Sequence, residues 1–316
     1  MFAGDGEIAT SPVSTGVPGH PTPLGVFSVI QKQVYHESNL YSAAPMPYMQ
    51  RITWSGIALH AGMLPGHPAS HGCIRLPRDF AVRIYALTKI GARVVVTADD
   101  PAPVAIEHRT LLQPNSPADK VADALNGKPA LFASAEAPTS AAAARTEITG
   151  SAPSEAVTAP AKEPQPVTKP SRQNGAVSIF ISRKEGKLYA RYKFATLFEM
   201  PVSITDPEKP IGTHVFTAME TAGRELRWNV LTIPSVTSEK SHARERRSRE
   251  RHGDRAGRIE RAKLPSASDA LDRVAIPDEA RARVADLLAP GASLIISDNG
   301  LSDETDSDTD FVVLTP

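Results

Sequence analysis

Ser70-His71-Gly72-Cys73-Ile74-Arg75-Leu76 gathers a hydroxyl, an imidazole, a glycine and a thiol, and a second imidazole, His60, lies a short way upstream. Cys73 is the one cysteine in this 316-residue chain, so no internal disulfide is open to it. A thiol beside imidazoles suits nucleophilic acyl chemistry. A free thiol with a pKa of ~8.5 is mostly protonated at neutral pH, and an imidazole that takes its proton makes the sulfur reactive. His71 stands two residues before Cys73, and in an extended segment residues two apart face the same side. Gly72 leaves room for backbone N–H groups to approach a substrate, as an oxyanion site requires. The motif predicts a thiol enzyme.

His60 must reach that sulfur by folding. Trp54-Ser55-Gly56-Ile57-Ala58-Leu59-His60 reads as a strand with Trp54, Gly56, Ala58 and His60 on one face. Ala61-Gly62 breaks it, and a Gly/Pro-containing loop from Met63 to Ala69 returns the chain to Ser70. After the motif, Asp79 is placed to cap a helix from about Phe80 to Ile90, with Phe80, Ile84, Leu87 and, on the flank, Tyr85 as its apolar stripe. Gly91 ends that helix, and Arg93-Val94-Val95-Val96-Thr97 reads as a strand. These residues belong to a core rather than to a site.

Two plainer uses of the motif compete. A lone cysteine is more often a buried small hydrophobe than a nucleophile. Against that, Cys73 sits in a Gly/Pro-rich loop, where reactive groups are commonly presented, and not in an apolar periodic run. His60, His67, His71 and Cys73 also offer zinc ligands, but their spacing is that of no common zinc module and there is no cysteine pair. The reading carries neither metal nor cofactor.

The sequence from His60 to Ser70-His71-Gly72-Cys73-Ile74-Arg75 resembles the signature of bacterial L,D-transpeptidases: a histidine, a variable loop, then Ser/Thr-His-Gly-Cys, an apolar residue and Asn or Arg. Thr22-Pro23-Leu24-Gly25-Val26-Phe27 resembles the family's Thr-Pro-x-Gly-x-Phe strand entry, here preceded by Pro12-Val13-Ser14-Thr15-Gly16. The resemblance covers about residues 1 to 99. It implies a mainly β fold, an L,D-transpeptidase-like sandwich or barrel with a short helix after the cysteine. It also implies a substrate, the peptidoglycan stem tetrapeptide, attacked at the carbonyl between its third and fourth residues. D-Ala leaves, an acyl-thioester forms, and an amine of a second stem resolves it. Carried over, Cys73 is the nucleophile and His60 the general base and acid. His71 and Gly72 shape the pocket and the oxyanion site, Ser70 orients the histidines, and Arg75 meets a substrate carboxylate.

Along the chain, three regions separate. Residues 1–99 form the catalytic domain. Residues 100–175 are rich in Ala, Pro, Ser, Thr and Glu and read as a disordered or extended linker, with a short helix at Val121–Leu125. Residues 176–316 read as a second, degenerate copy of the same fold. There Lys209-Pro210-Ile211-Gly212-Thr213-His214-Val215-Phe216 parallels the Thr22–Phe27 entry, and Trp228 parallels Trp54. A helix is expected from Pro277 to Pro290, and Gly291–Ser297 parallels Gly91–Thr97. This copy has no cysteine, and Pro234 falls where His60 would be. It opens on a hairpin, Val177–Ser182 with Lys187–Tyr192. The first copy retains only that hairpin's end, Glu7-Ile8-Ala9-Thr10, so its sheet is expected to lack a strand. Either the true start lies upstream, or a partner or the second copy fills the gap.

Arg244 to His252 is a charged run extending to Lys263. Interleaved glutamates, the absence of aromatics and a formal net charge of zero argue against nucleic-acid binding and for a solvated insertion. No apolar run approaches the roughly 20 residues of a membrane span, and no signal peptide opens the chain. Family resemblance alone places the protein in the periplasm or cell envelope. Three functions follow: an L,D-transpeptidase, a thiol L,D-carboxypeptidase using water as acceptor, or a non-catalytic peptidoglycan-binding protein. Contact between the two modules is left open.

Overall fold

The computed structural model describes residues 1–3, 6–38, 43–115, 176–220, 225–234, 265–305 and 309–315. All fall in one compact unit assembled from residues 1–115 and 169–316. The fold is mainly β, as expected.

The first half begins with a small antiparallel pair, β1 (Phe2–Ala3) and β2 (Gly6–Glu7). It continues through β3 (Gly25–Ser28), β4 (Gln31–Gln33), β5 (Met49–Arg51), β6 (Ala58–Ala61), β7 (Ile74–Leu76), α1 (Arg78–Leu87), β8 (Arg93–Val96) and β9 (Val104–Ile106). The second half contains β10 (Val177–Ser182), β11 (Lys187–Tyr192), β12 (Ala195–Pro201), β13 (Ser203–Ile204), β14 (Thr213–Met219) and β15 (Arg227–Ile233). Then follow α2 (Ala267–Arg273), β16 (Val274–Ala275), α3 (Asp278–Ala285), β17 (Ser293–Ser297) and β18 (Val313–Leu314).

The halves share sheets. A seven-stranded sheet runs β12-β11-β10-β17-β14-β15-β9, so the first half's β9 lies on the second half's edge, with Trp228 opposite Ile106. A three-stranded sheet runs β18-β3-β8, so the second half's last strand pairs with the first half's β3. Gly25 makes that pairing possible. Its φ is +148°, and a Cβ there would lie 2.3 Å from the Val313 carbonyl oxygen.

Alternation along the strands assigns each face. In the large sheet Ile179, Ile181, Phe216, Leu294 and Ile296 pack with residues of α2 and α3. On its other face Phe180, Val215 and Ile295 meet Val26, Val95, Phe311 and Val313. The far side of the three-stranded sheet carries Phe27, Val94 and Val96, packed with Ala81 and Ile84 of α1 and with Ile52, Ala61, Ile74 and Leu76. Strands β10 and β17 are buried along their whole length because layers cover both faces. The four-stranded sheet β4-β5-β6-β7 is the last layer, and its outer face remains for a site.

A buried polar junction ties the halves together. Arg93 on β8 pairs with Asp310 at 2.9 Å and donates to Ser28 at 2.9 Å and to Ser293 at 2.6 Å. Asp310 also accepts from Ser28 and Ser178, and Arg191 donates to the Thr309 carbonyl. A cavity of about 210 Å³ adjoins the pair, lined in part by Gly91, Gly291 and Phe194.

Several expectations change. Trp54–Gly56 is a turn and β6 begins at Ala58, because Thr53 Oγ1 takes the Ile57 N–H and Gly56 adopts φ +113°. Trp54 and Trp228 are therefore not equivalent: Trp228 lies buried within β15. The helix after the motif starts at Arg78 behind Pro77, without a side-chain cap from Asp79. It ends at Leu87, where the Lys32 ammonium takes the Tyr85 and Thr88 carbonyls. Leu87 is exposed, outside the apolar stripe. The helix expected from Pro277 to Pro290 spans Asp278–Ala285. Residues 100–115 are not linker: they supply β9, and Leu111 and Leu112 are buried in the second half's core. The remainder of the expected linker, its helix at Val121–Leu125 and the charged run fall outside the described residues. Among the described residues β8 has β3 as its one neighbour, whereas β17 is flanked by β14 and by β10 in parallel. The second half thus extends the three-stranded sheet at β3, not at β8.

Removing one partner of a buried ion pair costs roughly 3–5 kcal/mol. Asp310→Ala should accordingly lower stability by several kcal/mol in urea unfolding. The tryptophans place one fluorophore in each half, so Trp54→Phe and Trp228→Phe proteins should unfold at one common midpoint that Asp310→Ala moves in both. Two separate midpoints would show that the halves fold independently.

Candidate active site

β6 and β7 run parallel, with Leu59 opposite Ile74, His60 opposite Arg75 and Ala61 opposite Leu76. Leu59, Ala61, Ile74 and Leu76 face the core. By strand alternation Ala58, His60, Cys73 and Arg75 occupy the opposite face. Cys73 lies one residue before β7, beside Ala58. Two more strands extend this row, with Arg51 opposite Ala58 and Gln31 opposite Arg51. Met46, Met49 and Ala58 form a small apolar cluster against the half-buried Cys73.

His60 is buried, and its Nδ1 lies 2.9 Å from the Ala61 carbonyl oxygen. A carbonyl only accepts, so Nδ1 carries the proton and the Nε2 lone pair is left to take another. Burial lowers the His60 pKa below its ordinary 6.5, the Ala61 bond opposes this, and the Arg75 charge adds to it. The ring is neutral at pH 7. Burial pushes the Cys73 thiol above its ordinary 9.0, while the Ala58 N–H and the charges of Arg51 and Arg75 pull the other way. Both the Cys73 thiol and the His60 imidazole therefore rest neutral. Cys73 Sγ lies 3.6 Å from the Gly56 carbonyl, which accepts the S–H.

The motif is held from beneath by residues 14–22. Ser14 exchanges backbone bonds with Arg75, and Val17 N–H reaches the Ser70 carbonyl. Ser70 Oγ donates to the Cys73 carbonyl at 2.6 Å and accepts the Gly72 N–H at 3.1 Å. Thr22 Oγ1 donates to the Gly72 carbonyl at 2.8 Å and accepts the Gly16 N–H at 3.0 Å. Only glycine fits at position 72: φ is +112°, and a Cβ would lie 2.4 Å from Ile57 Cδ1. Its N–H is taken by Ser70, so Gly72 acts here through backbone shape, and Ser70 orients the Cys73 backbone rather than a histidine ring. His71 is exposed, its ring 4.8 Å from that of His20. The Arg75 stem lies over Gly62. Among the described residues, no three His, Cys, Asp or Glu side chains group as a metal site would need.

Residues 1–96 match the family model of the L,D-transpeptidase catalytic domain, YkuD. Over 107 residues the chain is 33% identical to the probable L,D-transpeptidase 3 of Mycobacterium tuberculosis H37Rv, covering 29% of this chain and 40% of that protein. The chain thus spans less than half the length of that curated relative. Solved structures of L,D-transpeptidases are also among the chains it resembles. One from Mycobacterium smegmatis is 26% identical over 29% of this chain and 49% of that chain, with a TM-score of 0.27. L,D-transpeptidase 3 from Mycobacterium tuberculosis in complex with a faropenem-derived adduct is 32% identical over 27% of this chain and 43% of that chain, with a TM-score of 0.25.

Arg51 was not legible in the sequence. Its guanidinium donates to Gln31 at 2.8 Å and approaches His36 Nε2 at 3.4 Å. Burial, and then the Arg51 charge, keep His36 below its ordinary value, so it stays neutral and accepts. Only the register of β5 on β6 places this cation on the face that carries Cys73, and no spacing in the sequence signals it.

The raised thiol pKa gives a clear sign. Alkylation of Cys73 by iodoacetamide requires thiolate, so its rate should still climb as pH passes 9.0. A plateau reached below pH 7 would instead show a preformed thiolate–imidazolium pair. Intact-mass kinetics on this single-cysteine chain read the difference directly.

Proposed function

We propose that the chain is an L,D-transpeptidase acting on peptidoglycan stem tetrapeptides in the cell envelope. The observation that carries this reading is the placement of Cys73 and His60 on one sheet face, with the His60 proton fixed on Nδ1 and its Nε2 left to act as base. The match of residues 1–96 to the L,D-transpeptidase catalytic domain supports the substrate class. Among the described residues, no helix is long and apolar enough to cross a membrane.

In this mechanism His60 Nε2 takes the Cys73 thiol proton as sulfur attacks the carbonyl between the third and fourth stem residues. The C–N bond breaks, the proton passes to the departing D-Ala amine, and an acyl-thioester remains on Cys73. An acceptor amine then attacks, giving its proton to His60. The C–S bond breaks, and the thiol is restored. Arg51 and Arg75 bring positive charge toward the sulfur and a substrate carboxylate, Gly72 and Ser70 fix the Cys73 backbone, and His71 lines the exposed side.

The second half is proposed to be a degenerate copy that has lost this chemistry. Matching turns support the reading. Gly91 and Gly291 both have φ of +90° and donate to Val29 and Ala218, while Ala92 and Ala292 donate to Lys89 and Ala289. β3–β8 and β14–β17 are the corresponding antiparallel pairs.

Incubation with faropenem should give one stable covalent adduct by intact mass, absent in Cys73→Ala. His60→Gln should slow its formation by about 10²- to 10⁴-fold, the usual contribution of a general base. A tetrapeptide stem with an acceptor stem should then yield a cross-linked dimer, whereas release of tripeptide alone would identify a carboxypeptidase. No adduct on folded protein would leave a wall-binding role.

A further inference from the structure

The turn that faces the Cys73 sulfur is held from the other half of the chain. Residues 53–57 close on themselves, with Ile57 N–H on Thr53 Oγ1 at 2.9 Å and Gly56 N–H on the Thr53 carbonyl at 3.3 Å. The far side of this turn meets the motif. Gly56 offers its carbonyl to Cys73 Sγ, and Ile57 packs where a Gly72 side chain would be. The near side of the turn presents two successive backbone N–H groups, those of Trp54 and Ser55. Glu304, between β17 and β18, accepts both. Trp54 N–H lies 2.8 Å from Oε2, and Ser55 N–H lies 3.3 Å from each oxygen.

Two adjacent N–H groups aimed at one point form a site that a carboxylate fits, because its two oxygens accept together and its charge strengthens each bond. Glu304 is anchored in turn. Its own N–H bonds Ser302 Oγ, Ser302 N–H bonds the Val312 carbonyl, and Thr305 Oγ1 bonds both the N–H and the carbonyl of Val312. Val312 is buried in the catalytic half's core beside Phe27 and Ile74.

We infer that Glu304 is a positioning residue for Cys73. It acts through the Trp54–Ile57 turn to set the Gly56 carbonyl and the Ala58 N–H around the sulfur. The second half therefore supplies part of the active-site scaffold in cis. This rests on the reading of Cys73 as nucleophile, and the variants below separate the two.

Glu304→Ala should slow faropenem acylation by tenfold or more and displace the pH profile of Cys73 alkylation. The half-exposed position should leave the Tm within a few degrees. Glu304→Gln retains an amide oxygen for Trp54 N–H and should recover most of the acylation rate. Acylation and alkylation profiles in Glu304→Ala that match the parent would overturn the inference. So would losses that follow only the fraction unfolded, with no recovery in Glu304→Gln. If the parent itself is not acylated, the proposed function fails, and the alkylation profile still decides the role of Glu304.

Discussion

The arrangement depends on one constraint: β3 and β8 are covered on both faces. Two short strands cannot form a core alone, and a sheet must bury its apolar side against another layer. Here Phe27, Val94 and Val96 look toward α1 and the site sheet, while Val26 and Val95 look toward Phe180, Val215 and Ile295 of the second half. The valine run of β8 therefore has two apolar partners rather than one side in water. Arg93 stands where this seam turns polar. Its charge is matched by Asp310, and hydroxyls from both halves fill the remaining hydrogen bonds. The buried Asp310 carboxylate without those partners would be costly, so the seam specifies one registration of the halves.

The sequence was most readable where the signal is local. The motif, the strands β8 and β17, and the β10–β11 hairpin follow from alternation, Gly and Pro placement and residue type. It was least readable where pairing is long-range. Glu304 meets Trp54 across 250 positions, and Arg51 reaches the cysteine face only through the register of three strands. The Trp54–Gly56 segment misled because an aromatic followed by alternating small residues reads as strand, while the deciding bond comes from the Thr53 hydroxyl. Residues 100–115 look like linker by composition, yet Leu111 and Leu112 are buried and dock the otherwise largely exposed segment.

The charges around Cys73 bear on how the proposed reaction is driven. Burial acts against charge on both Cys73 and His60, so the ground state holds a neutral thiol and a neutral imidazole. Arg51 and Arg75 gain little from a neutral thiol. Their field becomes favourable once negative charge develops on sulfur and on the attacked carbonyl oxygen. An interaction that strengthens only as the transition state forms accelerates the step without deepening the resting state. Burial, with the Arg75 charge, disfavours an imidazolium at His60, so in the proposed reaction the proton would pass on to the leaving amine. Neutral reactants, flanking guanidiniums and a base fixed in one tautomer thus suit acyl transfer better than a standing thiolate would.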